Sequence, residues 1–458
     1  MAHFLEADLK PWAAALAAAL FFEADVPSTE EQPGDLVQGC TAAADAALAH
    51  WEEAWRRLDE LAPLGDAVDA VLRAWRLPLR EQLQHTPAEW QPAVIGSHAV
   101  DGALSLSYDT AAACRGAMHA VHAVHSLTVR PPAAPQQVDR ALHAVASMPA
   151  LRSLKLMQFT VHPLAELPTH LSQLEALRIV DVAIDAAALA QPLGTLTALT
   201  TLALTHCLID AASAKALVPA LSSLSRLADL RLDYNRKFGA AGAAALAPPL
   251  GSLTALTALN LSGNEIGSPG AESLAQTLSR LTRLASLHLQ SNHVGAAGAA
   301  ALAQPLGCLT ALTALDVLRS DVGSAGAASL APALGRLPQL AKLNLGCNDI
   351  GDAGAAALAQ PLSTLTALTL LNLTDCDIGA AGAKALAPAL GRLSRLEELW
   401  LYFNNIDGDG AAALAQPLGG LTALSVLDMS CNEIGSASAE SLTQALRPLP
   451  RLARLCLR

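Results

Sequence analysis

Leucines recur at fixed spacing through most of this chain. The string LxxLxLxxNxIG fits Leu256, Leu259, Leu261, Asn264, Ile266 and Gly267, and again Leu284, Leu287, Leu289, Asn292, Val294 and Gly295. Its leading Leu returns at 199, 227, 256, 284, 312, 340, 368, 396, 424 and 452; every step is 28 residues except one of 29, where RKFG at 236–239 adds a residue. Looser copies start at Leu174 and Leu151, and a first copy starts at Val124. The alternation in LxL puts two Leu on one face and their flanking residues on the other, the signature of a strand. The following AxxLAxxL supplies the inner stripe of a helix, and its small Ala residues let helices pack closely. The Asn can satisfy backbone groups where the chain leaves the strand, a place taken by Cys207 and Cys376 in two copies. The Gly then allows the turn. Ser268-Pro269 reads as helix N-cap followed by the first helical residue. No strand meets its successor through a hairpin. Each needs a crossover, so the sheet is expected to be parallel.

A second period overlies the first. GAAGAAALAPPLGSLTALTALNL begins at 239, with near-copies at 295, 351 and 407 and a shortened version at Asp185. Between them lies another type, GSPGAESLAQTLSRLTRLASLHL at 267, with relatives at 210, 323, 379 and 435. The first type carries Pro-Leu-Gly and Leu-Thr-Ala-Leu. The second usually carries an Arg before its leading Leu (Arg226, Arg283, Arg395, Arg451), with Gln339 the exception.

This alternating pattern resembles the leucine-rich repeat in its long, ribonuclease-inhibitor-like form, over about residues 120–458. The GAAGAAALA phrases are similar, more weakly, to the repeats of bacterial GALA-type effectors. The resemblance implies an α/β fold: a right-handed solenoid of about 12–13 repeats over 118–458, a horseshoe with a parallel β-sheet on its concave face and helices outside. It also implies a protein partner rather than a substrate.

Residues 1–117 lack the repeat. ALAHWEEAWRRLDELAPL and VDAVLRAWRLPLREQL look amphipathic and helical, and PSTEEQPG at 27–34 looks like a loop, so a small α-helical domain or cap is expected there. No LPxE start of the F-box kind is found in it. The apolar run Trp12 to Phe22 is too short to span a bilayer. The first fifty residues hold eight acids and one base, Lys10, which opposes a secretory or mitochondrial leader. At the other end, Arg447, Arg451, Arg454 and Arg458 crowd the last copy, where charge would blunt an open sheet edge.

Composition narrows the function class. The chain is 52% hydrophobic, much of it Ala and Leu, and 15% charged. Its net charge of −12 opposes a general nucleic-acid binder, which needs clustered Lys and Arg. Eight scattered Cys include no CxxC pair and no zinc-ligand spacing, in keeping with reduced thiols in a cytoplasmic setting; delivery into a host cell as an effector is the alternative. No GxxxxGK, GxSxG or HExxH motif occurs. His119, His122 and His125 come nearest to a metal cluster, yet no carboxylate or Cys lies close to them in sequence. Neither a metal nor a cofactor is therefore expected, and neither is catalysis.

The aromatic residues point to a site. From residue 151 onward there are six, and three of them are Trp400, Tyr402 and Phe403 in LEELWLYFNNI. The alternation sends Leu399 and Leu401 inward and Glu398, Trp400 and Tyr402 to the concave face, with Phe403 at the strand exit. The matching positions elsewhere are mostly small or polar, such as Ala258/Asn260/Ser262 and Lys342/Asn344/Gly346. Rigid aromatic side chains of this kind dominate protein–protein contacts. Trp400, Tyr402 and Phe403 are the expected anchors, with Glu398, Asp428 and Lys342 adding polar specificity. Asp229, Arg231, Asp233 and Tyr234 form a second outward cluster beside the irregular copy. The expected function is a non-catalytic interaction scaffold binding a protein on the concave face, without nucleic acid or membrane. Two alternatives remain: a regulatory or effector protein in which residues 1–117 act and the repeats choose the target, and, by analogy of fold alone, a Ran-type GTPase activator.

Overall fold

The LxL segments form strands too short to stand alone, and they gain order by pairing side by side. The computed structural model describes residues 103–106, 126–129, 151–157 and 171–457. The chain divides into a unit Met1–Pro78 and a unit Leu79–Arg458, and all the described residues belong to the second. Its strands are β1 (Ala103–Leu106), β2 (Ser126–Val129), β3 (Ser153–Met157), β4 (Ala176–Val180), β5 (Thr201–Thr205), β6 (Asp229–Arg231) and β7 (Ala258–Asn260). They continue as β8 (Ser286–His288), β9 (Ala314–Asp316), β10 (Lys342–Asn344), β11 (Leu370–Asn372), β12 (Glu398–Trp400), β13 (Val426–Asp428) and β14 (Arg454–Cys456). All lie in one 14-stranded sheet in chain order, with parallel neighbours. The strand β1 precedes Val124, where the sequence pattern places its first copy. The remainder of residues 1–117, with the helices expected there and the three-histidine group at 119–125, lies outside the described residues.

Ten helices of the described region connect successive strands from β4 onward: α1 (Ala186–Thr195), α2 (Ala211–Ser223), α3 (Gly239–Leu250), α4 (Gly267–Leu278), α5 (Gly295–Leu306), α6 (Gly323–Leu334), α7 (Gly351–Leu362), α8 (Ala380–Leu390), α9 (Gly408–Gly419) and α10 (Ser436–Leu446). Each helix packs on the next, and every sheet neighbour is also a sequence neighbour, so this is a solenoid. One continuous core runs from Leu151 to Leu449 between sheet and helices. A repeat places Leu284, Leu287, Leu289, Val294, Leu302 and Leu306 in it, all nearly inaccessible. Each such side chain contributes about 1.5–3 kcal/mol when buried.

The turn between strand and helix is stitched by the Asn. The side-chain oxygen of Asn292 accepts from the Asn264 backbone N–H at 2.9 Å, and its Nδ2 donates to Leu261 O at 2.7 Å and Leu289 O at 3.0 Å. One amide thus satisfies groups of two adjacent repeats. Cys207 and Cys376 stand in the same place, each Sγ donating to two carbonyls at 3.3 Å. The Gly that follows has φ of +62° to +66° at Gly267, Gly295, Gly323 and Gly351, where a β-carbon is costly. Three turns use another solution: Asp185, Asp210 and Asp407 are extended N-caps whose carboxylates accept from Ala187 N, Ser213 N and Gly410 N respectively. Ser268 departs from its expected N-cap role. The helix already begins at Gly267, and the Ser268 hydroxyl donates to Val294 O of the next repeat at 2.6 Å. In the irregular copy, Phe238 is fully buried. The added residue therefore lengthens the turn, and Phe238 fills the place that Ile266 holds one repeat on.

Candidate functional site

The helix-free face of the sheet carries three rows of side chains, one residue from each strand or strand exit per row. In the middle row, Asn260, Asp316, Asn344, Asn372 and Asp428 each turn a side-chain oxygen onto the backbone N–H two residues ahead, at 2.9–3.3 Å. This local bond keeps the row short, polar and shielded. Among the described residues, the Nδ2 of Asn344 is the one buried side-chain nitrogen or oxygen without a partner.

Trp400 interrupts that row, paired in register with Asn372 on one side and Asp428 on the other. Its neighbours Leu399 and Leu401 are buried in the core, so the alternation holds and the indole lies on the open face. It is half-buried and already engaged. Its Nε1–H donates to Glu398 Oε2 at 3.2 Å. The Arg454 guanidinium sits 5.2 Å from its ring centroid, a cation–π distance, and reaches Asp428 Oδ2 at 3.3 Å. Asp428 is only 5% exposed, and it also accepts from the Ser430 hydroxyl. Three strands are therefore tied together by Glu398, Trp400, Asp428 and Arg454.

Tyr402 and Phe403 are the exposed part of the site. They are 36% and 42% exposed, with ring centroids 5.7 Å apart and a tilt of 42°. Phe403 sits at the strand exit with φ of +54°, and its exposure shows the ring turned outward rather than packed. Lys342 is exposed at the register level of Glu398, two strands away through Leu370.

The second expected cluster lies six strands off, roughly 30 Å at about 4.8 Å per strand. Arg231 is paired with Asp229, Nη2 to Oδ2 at 3.1 Å. Asp233 is just 7% exposed and accepts from the Thr205 hydroxyl at 3.1 Å, which leaves it little surface to offer. Burial pushes its carboxyl above the usual range. Tyr234 is 44% exposed and accepts from Gln290 Nε2 at 3.0 Å. Its ring lies over Gly263, where a β-carbon would come within 2.6 Å of it.

Sequence reasoning missed Arg454, which was read only as charge at the end of the array. The 28-residue period did hold the signal: Glu398, Val426 and Arg454 share one register position. Among the described residues no group of His, Cys, Asp or Glu could hold a metal ion, and no helix is long and apolar enough to cross a membrane.

Comparisons with known proteins agree with this architecture. The family model described as Leucine Rich repeat matches residues 252–275, 282–303, 339–359, 364–387 and 421–442. An internalin from Listeria monocytogenes is similar in structure, with a TM-score of 0.51 and 21% identity, over 76% of this chain and 94% of that one. So is a leucine-rich-repeat protein from Leptospira interrogans, with a TM-score of 0.50 and 17% identity, over 74% and 86%. A search of curated proteins finds no match.

Proposed function

We propose that this leucine-rich-repeat protein is a non-catalytic scaffold that binds a protein partner on the open face of its sheet, around Tyr402 and Phe403. Leucine-rich-repeat folds commonly serve as interaction scaffolds, and this chain adds a feature of its own. The observation that carries the reading is the exposed aromatic pair, 36% and 42% accessible, beside a Trp400 held rigid by Glu398 and Arg454. Rigid aromatics lose little side-chain entropy on binding, so such a patch yields a large share of the energy of a contact. Trp400 acts as the floor of the patch, and its two neighbours make the contact. Glu398 and Lys342 flank it as polar determinants, while Asp428 works through Arg454. Tyr234 and Arg231 make a second, separate contact point for a partner long enough to span both.

The test is affinity capture from source-cell extract with the wild-type chain and with Tyr402→Ala/Phe403→Ala, after both are shown to melt alike. A photo-crosslinking residue placed at 402 identifies the contacted segment. The expected outcome is a protein retained and crosslinked by the wild type and released by the double variant. An identical set of retained proteins would remove the aromatic pair from the site.

A further inference from the structure

We infer that the segment seated on Tyr402 and Phe403 is basic and presents an arginine to the aromatic pair; this deepens the scaffold reading above and rests on it. The argument begins with what stands beside the rings. The Asp375 backbone N–H donates to Tyr402 O at 2.9 Å, so its exposed side chain neighbours the pair on the preceding repeat. Asp377 follows it and is hydrogen-bonded to the Asn405 amide. Asp349 is exposed one repeat further back. Within this group the Asp375 carboxyl is raised, first by burial, which a hydrogen bond with the Cys347 thiol partly offsets; the Asp349 charge adds to the rise and Arg319 lowers it. The patch therefore joins two aromatic faces to carboxylates in excess of their cations.

An apolar occupant would strip water from those carboxylates and return nothing. A guanidinium satisfies both halves at once. Its plane stacks on an aromatic face while its fork donates to a carboxylate, which a lysine ammonium does less well. The chain already builds this arrangement beside the pair, across β12 to β14: Arg454 lies 5.2 Å from the Trp400 ring centroid and 3.3 Å from Asp428. A partner arginine between Phe403 and Asp375 would repeat the same contact between molecules.

The experiment is selection of a phage-displayed library of short random peptides on the folded, full-length wild-type chain, with counter-selection on Tyr402→Ala/Phe403→Ala. Retained peptides are expected to carry arginine at a preferred position. Replacing that arginine by the neutral isostere citrulline should weaken binding by about tenfold, the scale of one partly desolvated cation–π contact. Asp375→Asn should weaken it similarly, and Asp185→Asn, an exposed acid on a distant helix cap, should not. Enrichment of acidic or purely apolar peptides would overturn the inference and leave the scaffold reading standing. Equal loss with Asp185→Asn would reduce the effect to the net charge of the chain and overturn it too. If no peptide prefers the wild type over the counter-selected variant, the aromatic site itself falls, and both readings with it.

Discussion

The Asn at each strand exit does more than close a turn, and its loss should be felt in two repeats. Asn292→Ala would leave the buried Asn264 N–H without its acceptor and take one of two donors from each of the Leu261 and Leu289 carbonyls, which keep Asn264 Nδ2 and the Ser320 hydroxyl. A buried group without its partner costs about 1–3 kcal/mol, so a drop of about 3 kcal/mol is expected in urea unfolding. Asn292→Cys should cost less, because Cys207 and Cys376 show that a thiol can donate to the same carbonyls. Those two thiols also set a pH limit. Burial pushes the Cys207 thiol from an ordinary 9.0 up to about 12, and drives Cys376 upward too. The folded state holds them protonated while the unfolded chain releases the protons. Their stabilisation is thus complete below pH 9 and falls as pH climbs from 9 towards 12. Chemical unfolding at stepped pH should show that slope, and Cys207→Asn, which restores the commoner ladder residue, should flatten it. At this scale the alternation of side chains was legible, and it placed Trp400 and Tyr402 on the correct face. Shielding was not legible. Asp233 and Asp428 face outward by alternation, yet neighbouring strands cover them, and cover is a property of three strands rather than of one.

Helix packing depends on what is missing from the side chains. A β-carbon at Gly298 would meet Ala271 Cβ and Val294 Cγ1 at 2.9 Å and the Ser268 backbone at 3.1 Å. The Gly there lets α5 approach α4, and the Ala-rich faces sustain that approach along the array. Gly298→Val should force the two helices apart and cost about 1–3 kcal/mol, the range for overpacking a well-filled interior. Thermal melting of that variant beside Ala300→Val, at a solvent-facing position of the same helix, checks it: only the Gly298 variant should fall by more than the small propensity difference. The strands and helices could be read from the sequence because each has its own hydrophobic period. Helix starts could not be read as well. Ser268-Pro269 has the local chemistry of a cap, but the left-handed turn at Gly267 had already begun the helix, and the hydroxyl found a better acceptor in the next repeat. Local propensity yielded to a contact 26 residues away.

A solenoid is a line of nearest-neighbour contacts, so a perturbation should spread only as far as the side chains that bridge repeats. Arg454 is such a bridge, reaching from β14 over Asp428 on β13 to Trp400 on β12. Arg454→Ala removes a cation from a largely buried carboxylate and from the face of an indole. Because Arg454 itself is half-exposed, solvent screens part of the loss, and about 1–2 kcal/mol is expected. In an array whose helices and strands pack on their neighbours in the stack, that energy is not shared far along the chain. Hydrogen exchange should therefore quicken in β12–β14 and α9–α10, while β6–β9 and α3–α5 keep their protection. Uniform loosening of the whole sheet would contradict a nearest-neighbour array, and unchanged exchange at β12–β14 would contradict the bridge. The outcome also bears on binding. If Arg454 holds Trp400 still, its removal should loosen the floor beneath Tyr402 and Phe403 and weaken any partner seated there, although Arg454 need not touch that partner. The aromatic site and the stability of the final repeats would then be two readings of one side-chain network.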